Sequence, residues 1–376
     1  MPPVALASNK AFGLRSFNNF WLDWRDGCLA SPRFQSWAAR FPLTRFMARR
    51  EARALFDLCA GFVYAQVLAS CIELDLFETL ARQPTSAAVL AARHRIPVAA
   101  MLMLLNAAVS LRLLSRQGEA FRLGPLGAAL RGNLGISAMV AHHRMFYADL
   151  ADPVALLRGQ AETQLGQFWP YRGSAGQSAA YSALMAVSQP MVAREILAAY
   201  RFNGHRVLMD VGGGDGSFLR LLAPHAPDLQ LRLFDLPPVA EAATLAFERD
   251  HLSGRAQVYG GDFARDELPK GADIMTLIRV LHDHPDERAL QILKSVRSAL
   301  PPKGVLLLAE PMAGTKGAEP VGDAYFGFYL LAMGSGRARR PAEIHAMLAE
   351  AGFSKVRQIP TSQPMLTCLI IAHAIT

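Results

Sequence analysis

Residues 207–216 read VLMDVGGGDG, an aliphatic run followed at once by a glycine-packed turn. Glycines in such a turn let the backbone adopt positive φ and approach a ligand without interference from a Cβ atom. A second apolar run, residues 229–234, follows the turn and ends in Asp235. A strand, a glycine turn, a helix and a second strand that ends in an acid form the arrangement that binds a nucleoside at the carboxyl ends of a parallel sheet.

The glycine spacing and a nearby acid indicate which nucleoside ligand fits. A dinucleotide fingerprint requires G-x-G-x-x-G with a helix N-terminus facing a pyrophosphate, whereas this turn has glycines at positions 212, 213, 214 and 216. Asp210 would repel a pyrophosphate and attract a cationic ligand. S-adenosylmethionine carries an ammonium and a sulfonium, and its ribose diol suits Asp235. We therefore predict this cofactor, bound by Asp210, Gly212, Gly214 and Asp235; the alternative is a tight turn that binds no ligand.

Composition limits the function classes. The chain has 376 residues, which exceeds one typical domain. Its hydrophobic fraction of 52% and charged fraction of 19% indicate a sizeable core and exclude an intrinsically disordered chain. The formal net charge of +8 favours acidic partners or an anionic membrane surface. Nucleic-acid binding is not expected, since no long basic run contains interleaved aromatic residues.

The cysteines and the apolar runs indicate a compartment. The four cysteines have neither metal-ligand spacing nor a paired framework, so we expect free thiols in a reducing cytoplasm. Residues 1–20 lack the continuous apolar core of a signal peptide. No uninterrupted apolar run reaches about 18 residues, so no membrane-spanning helix is expected.

Four segments follow one another along the chain. They are an N-terminal extension rich in aromatics and arginines (1–50), a winged-helix-like dimerisation domain (51–135), a helical linker with a substrate wall (136–200) and a cofactor-binding catalytic domain (201–376). In the second segment, a long helix is predicted over 51–82, and the two short helices and small hairpin that follow it resemble a winged helix. Residues 98–110 are nearly all apolar, whereas a DNA-recognition helix would present polar and basic side chains. We therefore expect a homodimer rather than a DNA-binding protein.

The first and third segments carry apolar side chains with more than one possible partner. The aromatics of residues 1–50 either lie at a membrane surface or pack on a dimer partner or the following helices. Packing is modestly favoured because the segment lacks a clean apolar face. The methionines and the aromatic run 168–171 precede the nucleotide fold, where they are candidates for the wall of an apolar substrate site. The residues assigned to this wall are Trp169, Tyr171, Met185 and Met333.

Strands and helices alternate beyond residue 205. This alternation predicts a doubly wound, mostly parallel sheet, a Rossmann-like α/β fold. The last two strands, predicted over 354–360 and 366–373, are joined by a short turn. Such a pair would insert one antiparallel strand into the sheet.

His282 follows the predicted strand 273–279, at the sheet edge that faces the cofactor. An unperturbed histidine pKa of about 6.5 suits a general base near neutrality. Glu310 ends the next strand, where a carboxylate would orient the imidazole and stabilise its protonated form. The alternative is a structural histidine that caps the following helix, but the strand-end position and the adjacent glutamate favour catalysis. The sequence shows no metal-ligand cluster, and no metal is expected.

These motifs together resemble the caffeate-type O-methyltransferases, class I S-adenosylmethionine enzymes with an N-terminal winged-helix dimerisation domain. The matching stretches are residues 210–216, Asp235, Gly261-Asp262-Phe263 and residues 281–287. The resemblance implies that the glycine turn and Asp235 hold the methionine and ribose parts of the cofactor, and that Asp262 and Phe263 frame its adenine. It also implies that His282 deprotonates the acceptor hydroxyl, with Glu310 beside it.

Two positions depart from the family pattern. His284 stands where the family often has tryptophan, and Ala338 stands where it carries a second glutamate. The base would then be held from one side only, which favours an acceptor other than an ordinary phenol.

Three stretches, Phe168-Trp169-Pro170-Tyr171, residues 281–285 and residues 333–337, make the chain most similar, within the family, to the carotenoid branch of purple bacteria. That branch methylates the tertiary 1-hydroxyl of acyclic hydroxycarotenoids. The basic charge and the aromatic and arginine-rich N-terminus would fit a cytoplasmic protein that collects such an acceptor at the inner, photosynthetic membrane. The alternatives are a phenolic or polyketide O-methyltransferase, a chlorin C-methyltransferase, and a winged-helix regulator that senses a ligand.

Overall fold

The computed structural model describes residues 8–168, 175–263 and 265–375, and the chain divides into two compact units. The first comprises residues up to 74 with 84–122, and the second comprises residues 75–83 with 123 onward. The helices are α1 (Ser8–Ala30), α2 (Pro32–Arg40), α3 (Arg45–Glu73), α4 (Leu76–Arg82), α5 (Ala87–His94), α6 (Val98–Ser110), α7 (Pro125–Arg131), α8 (Leu134–Asp149), α9 (Pro153–Leu157), α10 (Gln164–Phe168), α11 (Ala175–Ala199), α12 (Ser217–Leu222), α13 (Pro237–Arg249), α14 (Asp286–Ala299), α15 (Gly327–Met333) and α16 (Pro341–Glu350). The strands are β1 (Thr85–Ser86), β2 (Leu114–Gln117), β3 (Ala120–Leu123), β4 (Val207–Val211), β5 (Gln230–Asp235), β6 (Ala256–Gly260), β7 (Ile274–Ile278), β8 (Val305–Glu310), β9 (Phe353–Ile359) and β10 (Cys368–Ala374).

Helices α5 and α6 and a small sheet form the centre of the first unit. The strand order is β1-β3-β2, with Thr85 opposite Phe121. The buried side chains of α6 are Met101, Leu105 and Ala108, which lie on one face at helical spacing. Two helices followed by a hairpin agree with the predicted winged-helix-like module, and the buried face of α6 agrees with a packing role for this helix.

The single helix predicted over 51–82 is wrong, because the structure has two helices there. α3 ends at Glu73 and α4 begins at Leu76. Between them Asp75 has a φ of 48°, in the left-handed region, where an aspartate is tolerated but a right-handed helix cannot continue. The apolar period runs on across the break, so the sequence pattern alone predicts one helix.

Large apolar side chains are exposed from α1 to α3. They include Phe20, Trp21, Trp24, Trp37, Phe41, Leu43, Phe46, Leu55, Phe56, Leu58 and Phe62. The sequence analysis expected no membrane-spanning helix, whereas α3 is, by length and composition, long and apolar enough to cross a membrane. Exposed apolar side chains in this number are typical of an interaction surface.

Seven strands of the described chain form one sheet in the second unit, in the order β6-β5-β4-β7-β8-β10-β9. Strands β4 to β8 run parallel, whereas β10 lies antiparallel between β8 and β9. This topology confirms the predicted doubly wound sheet with one inserted antiparallel strand. β7 and β8 are buried at every position, as expected for central strands covered by helices on both faces.

The strand order reverses between β4 and β7, and an open α/β sheet binds its ligand in the crevice at such a reversal. Asp210 on β4 lies opposite Thr276 on β7. Asp235 ends β5 and Glu310 ends β8. The acids predicted from separate motifs therefore come from strands whose carboxyl ends meet at one edge of the sheet.

Gly216, at the start of α12, offers a test of this packing. Its φ is 78°, and a Cβ there would lie 2.5 Å from the buried ring of Phe247, whereas a Cβ on Gly214, at a φ of 62°, meets no described atom within 4 Å. We expect Gly216→Ala to lower the free energy of unfolding by at least about 2 kcal/mol, because left-handed strain and overpacking add. Gly214→Ala, the control, should lose about 1 kcal/mol. Denaturant unfolding measures both, and equal losses would contradict the packing at Gly216.

Candidate active site

The glycine turn after β4 leaves open space at its centre. Gly212 and Gly214 have φ values of 72° and 62°, and the Gly212 amide donates to the Phe234 carbonyl at 2.8 Å, which ties the turn to β5. A Cβ on Gly212 would lie 2.9 Å from a methyl group of Val280, while one on Gly214 meets no described atom within 4 Å. Packing therefore requires glycine at 212, and glycine at 214 keeps the backbone accessible to a ligand.

Asp235 shapes the same turn and retains acceptor capacity. Its Oδ2 accepts the Gly214 amide at 2.8 Å and its Oδ1 accepts the Leu236 amide at 2.7 Å. Burial raises the pKa of Asp235 to about 6, although these two hydrogen bonds act to lower it. A carboxylate offers about four lone-pair positions, so two remain for a ribose diol.

Asp210 is buried beneath the turn, and its Oδ1 accepts the Thr276 hydroxyl at 2.6 Å. Burial raises the pKa of Asp210 to about 7; the Thr276 hydrogen bond lowers it and the negative charge of Asp235 raises it further. A Cβ on Gly213 would lie 2.9 Å from Oδ2 of Asp210, so this carboxylate fills the space under the turn. Its predicted attraction for a cationic ligand would act through the field of a buried charge.

Asp262 and Phe263 follow β6, beside the end of β5 that carries Asp235. The Asp262 carboxylate lies 3.4 Å from the Arg288 guanidinium, and Phe263 packs edge-on against His284 with ring centroids 5.6 Å apart. Burial, together with the nearby charge of Arg288, lowers the pKa of His284 to about 3. His284 is therefore an uncharged aromatic ring next to the residue predicted to frame the adenine.

His282 lies in a short 3₁₀ turn, Leu281–Asp283, directly after β7. Its Nε2 is 3.2 Å from the Asp283 carboxylate and its Nδ1 is 3.5 Å from the Glu310 carboxylate. Burial acts to lower the pKa of His282, but the two carboxylates outweigh it and raise the pKa above the ordinary value. A protonated His282 would have one carboxylate beside each ring nitrogen.

Glu310 also holds the backbone of this turn. Its carboxylate accepts the amides of Val280 at 3.0 Å and His282 at 2.9 Å, and that of Leu281 between them. Nδ1 of His282 makes no hydrogen bond of good geometry. Glu310 therefore acts on the imidazole as a nearby charge and on the turn as a hydrogen-bond acceptor, and the sequence analysis predicted only the first of these actions.

The expectation that the base is held from one side only is wrong. Asp283, which sequence reasoning did not assign, supplies a carboxylate at the second ring nitrogen. Its position next to His282 in the motif was a signal, but adjacency alone does not show that two side chains meet. Ala338 packs instead against a cluster of aromatic side chains.

That aromatic cluster reaches the base through Phe326. The Phe326 ring lies edge-on to His282, with centroids 5.9 Å apart. Phe326 ends a π-helical turn, Pro320–Phe326, a rare conformation that is frequent at functional sites. Phe326 therefore places an apolar surface beside the imidazole of His282, the predicted base.

Two histidine–tyrosine pairs extend the same cluster. Nε2 of His142 lies 2.9 Å from the Tyr329 hydroxyl, and Nε2 of His143 lies 2.9 Å from the Tyr325 hydroxyl. Burial lowers the pKa of His142 to about 4 and also lowers that of His143. Both rings are therefore neutral near pH 7, so these pairs add aromatic surface without charge. Sequence reasoning missed them because their partners are more than 180 residues apart.

The predicted substrate-wall residues divide into three groups. Met333 is buried within the aromatic cluster. Residues 280–284, which carry His282 after β7, are called the catalytic turn below. Met185 lies near this turn, since its carbonyl accepts a hydrogen bond at 3.0 Å from Arg279, which directly follows β7. Trp169 and Tyr171 lie outside the described residues.

The doubly wound sheet carries a glycine turn with an acid at the next strand end and a histidine between carboxylates, an arrangement typical of class I methyltransferases. The family model of an O-methyltransferase domain matches residues 147–354, and that of an O-methyltransferase dimerisation domain matches residues 56–131. The chain therefore belongs to the O-methyltransferase family. The dimerisation domain supports the predicted homodimer, whereas the predicted division into four segments stays a prediction.

Individual relatives agree with this membership. The chain is 43% identical to demethylspheroidene O-methyltransferase of Cereibacter sphaeroides, over 91% of this chain and 92% of that protein. It is 42% identical to the protein of the same name from Rhodobacter capsulatus, over 89% of this chain and 85% of that protein. Human N-acetylserotonin methyltransferase, solved in complex with S-adenosylmethionine, has a TM-score of 0.72 at 26% identity, over 87% of this chain and 98% of that chain. The predicted family and fold are confirmed.

The two buried carboxylates predict that binding of a cationic cofactor depends on pH. Asp210 has a pKa of about 7 and Asp235 a pKa of about 6; below these values each is protonated and attracts a cation less. We expect the dissociation constant for S-adenosylmethionine, measured by calorimetry, to rise about tenfold as pH falls from 8 to 6. Asp210→Asn, which can still accept from Thr276, should bind more weakly and lose most of this dependence. A wild-type affinity that is constant across this range would contradict the electrostatic role of Asp210.

Proposed function

We propose that this protein transfers the methyl group of S-adenosylmethionine to the tertiary 1-hydroxyl of an acyclic hydroxycarotenoid. The observation that carries the reaction type is His282, held between two carboxylates at the edge of the sheet that carries the glycine turn. The acceptor class is supported by identities of 43% and 42% to two demethylspheroidene O-methyltransferases.

The residues of the glycine turn fit this cofactor. Gly214 leaves the backbone open, Asp235 has acceptor capacity for the ribose, and Asp210 contributes a buried negative charge. Asp262 and Phe263 would border the adenine. When bound, S-adenosylmethionine supplies an electrophilic methyl group on a sulfonium, and the protein's part is to align the acceptor oxygen with it, which lowers the barrier by several kcal/mol.

His282 would accept the hydroxyl proton as the acceptor oxygen attacks. The Asp283 carboxylate lies 3.2 Å from Nε2 and the Glu310 carboxylate lies 3.5 Å from Nδ1, so positive charge on the imidazole would face a negative charge on both sides. The two carboxylates therefore stabilise the protonated product of the transfer and make His282 a stronger base. A tertiary alcohol is a weak acid, so the benefit of a stronger base is larger for it than for a phenol.

The aromatic cluster beside His282 supports an apolar acceptor. Tyr325 stacks on Tyr329, and Phe326 packs edge-on against both rings and against His282. The two histidines that bond the tyrosines are neutral. Burying hydrocarbon against such a wall is favourable, whereas a wall with charged groups would require their desolvation.

An acceptor panel tests this function. Wild-type protein and His282→Ala are incubated with labelled S-adenosylmethionine and, separately, hydroxycarotenoids, phenols and chlorins. We expect transfer to the hydroxycarotenoids, and a fall of about 10²-fold or more in turnover for His282→Ala with cofactor affinity retained. Transfer to phenols alone would reject the acceptor, and near-wild-type turnover of His282→Ala would reject the base.

We further propose that the apolar surface of α1 and α2 contacts the inner membrane from the cytoplasm. Residues up to 55 lie outside the matched dimerisation domain, which begins at residue 56. On α2, Trp37 stacks on Phe41 at 5.0 Å, and Arg33 and Arg40 border the same groove. Aromatic rings beside arginines are typical of a segment that lies in the headgroup region of an anionic bilayer. A hydroxycarotenoid is itself insoluble in water, so its enzyme gains from such contact.

Flotation with vesicles containing phosphatidylglycerol tests this contact. We expect wild-type protein to float and the double variant Trp37→Glu/Leu43→Glu to remain in solution, because exposed apolar side chains drive insertion. Leu245→Glu, which replaces an exposed leucine on α13, is the control and should float. Light scattering reports the oligomeric state. If the double variant becomes monomeric and still floats, the surface belongs to the subunit interface instead.

A further inference from the structure

Two different parts of the chain hydrogen-bond the backbone of the catalytic turn, one to its amides and the other to its carbonyl groups. On one edge, Glu310 accepts three successive amides. On the other edge, the segment 335–339 satisfies the carbonyl groups: Ser335 Oγ donates to Asp283 at 2.8 Å, and the backbone amide of residue 337 donates to His282 at 2.8 Å. A Cβ on Gly336 would overlap the His282 carbonyl, so the two segments pack in direct backbone contact.

Arg339 makes the remaining contacts of this second edge. Its Nη1 donates to the Leu281 carbonyl and its Nη2 to the His284 carbonyl, both at 2.7 Å. Its Nε donates to Asp286 at 2.9 Å, and its side chain is only 1% exposed. One guanidinium thus joins the residue before His282 to a residue after it.

We propose that Arg339 is a positioning residue for methyl transfer, acting by fixing the backbone on both sides of His282. This inference rests on the proposed role of His282 as the base. The planar guanidinium presents several donors in fixed directions, so it can bond two carbonyls and a carboxylate at once, which the ammonium of lysine cannot reproduce. Because the imidazole depends on its backbone to stay between Asp283 and Glu310, loosening the turn would move His282 away from both.

The electrostatics of Arg339 support this role. A buried guanidinium is costly unless it is paired and fully hydrogen-bonded. Here Asp286, at the start of α14, provides the counter-charge at 2.8 Å while half exposed to solvent. The remaining donors go to the catalytic turn, so the bonds that satisfy the buried charge are the same bonds that fix the turn.

Arg339→Lys and Arg339→Ala test the proposal, with Arg340→Ala as the matched control. Arg340 is the next residue, but its side chain is 64% exposed and faces Asp323 at 3.6 Å. For each variant, kcat, the KM for both substrates, the pH dependence of kcat and the affinity for S-adenosylmethionine are measured on the full-length protein.

We expect kcat to fall about 100-fold in both Arg339 variants, as for a misplacement of about 1 Å in a catalytic group, with cofactor affinity unchanged. The acidic limb of the pH–rate profile should move to lower pH, because His282 leaves the carboxylates that raise its pKa. Arg340→Ala should match wild type in all four quantities. If the alanine variant does not fold, Arg339→Lys carries the same test, together with Asp286→Asn, which neutralises the carboxylate that Arg339 shares with Arg337.

A wild-type kcat and pH profile in a folded Arg339 variant would overturn the proposal. So would a loss of kcat with an unshifted profile and a matching loss of cofactor affinity, which indicates general damage to the fold. The activity of wild-type protein and its loss in His282→Ala are measured separately, so failure of this inference leaves the proposed function standing.

Discussion

The active site depends above all on the hydrogen bonds between the Glu310 carboxylate and three successive backbone amides of the catalytic turn. β7 and β8 pair in register up to Ile278 and Ala309, so the turn after β7 begins beside the end of β8. Hydrogen bonds to a charged group contribute about 1.5–3 kcal/mol each, and together they compensate for burying the carboxylate. The same charge then faces the His282 imidazole, which couples the shape of the turn to the strength of the base.

Negative charge is concentrated around the site although the chain as a whole is basic. Asp210, Asp235, Asp283 and Glu310 are all buried, while the formal net charge is +8. Burial raises the pKa values of Asp210 and Asp235, because a buried carboxylate without a cationic partner is costly to ionise. Binding of a cation would offset that free-energy cost of ionisation. The fold therefore favours a sulfonium at the sheet edge. The aromatic cluster beside His282 favours an uncharged acceptor.

Local patterns were sufficient to predict the parts of the fold that short stretches determine. The glycine turn, the acid at the end of β5, His282 at the end of β7 and the inserted strand β10 follow from apolar runs punctuated by glycines, acids and turns. Contacts between distant segments were not predictable in this way: Arg339 reaches a turn more than 50 residues away, and the His142–Tyr329 bond spans 187 residues. The break at Asp75 was missed because the left-handed conformation of one residue leaves the apolar period unchanged.

The most direct test of the central role of Glu310 is the pH dependence of kcat for wild-type protein and Glu310→Gln, in the presence of saturating cofactor and acceptor. A base must be neutral, so the rate rises with pH through the pKa of His282, which the Asp283 and Glu310 carboxylates hold above its ordinary value. Removing one of these charges should move the acidic limb to lower pH, and the plateau should fall because the turn loses its anionic acceptor. A variant with the wild-type plateau and an unshifted limb would contradict this role.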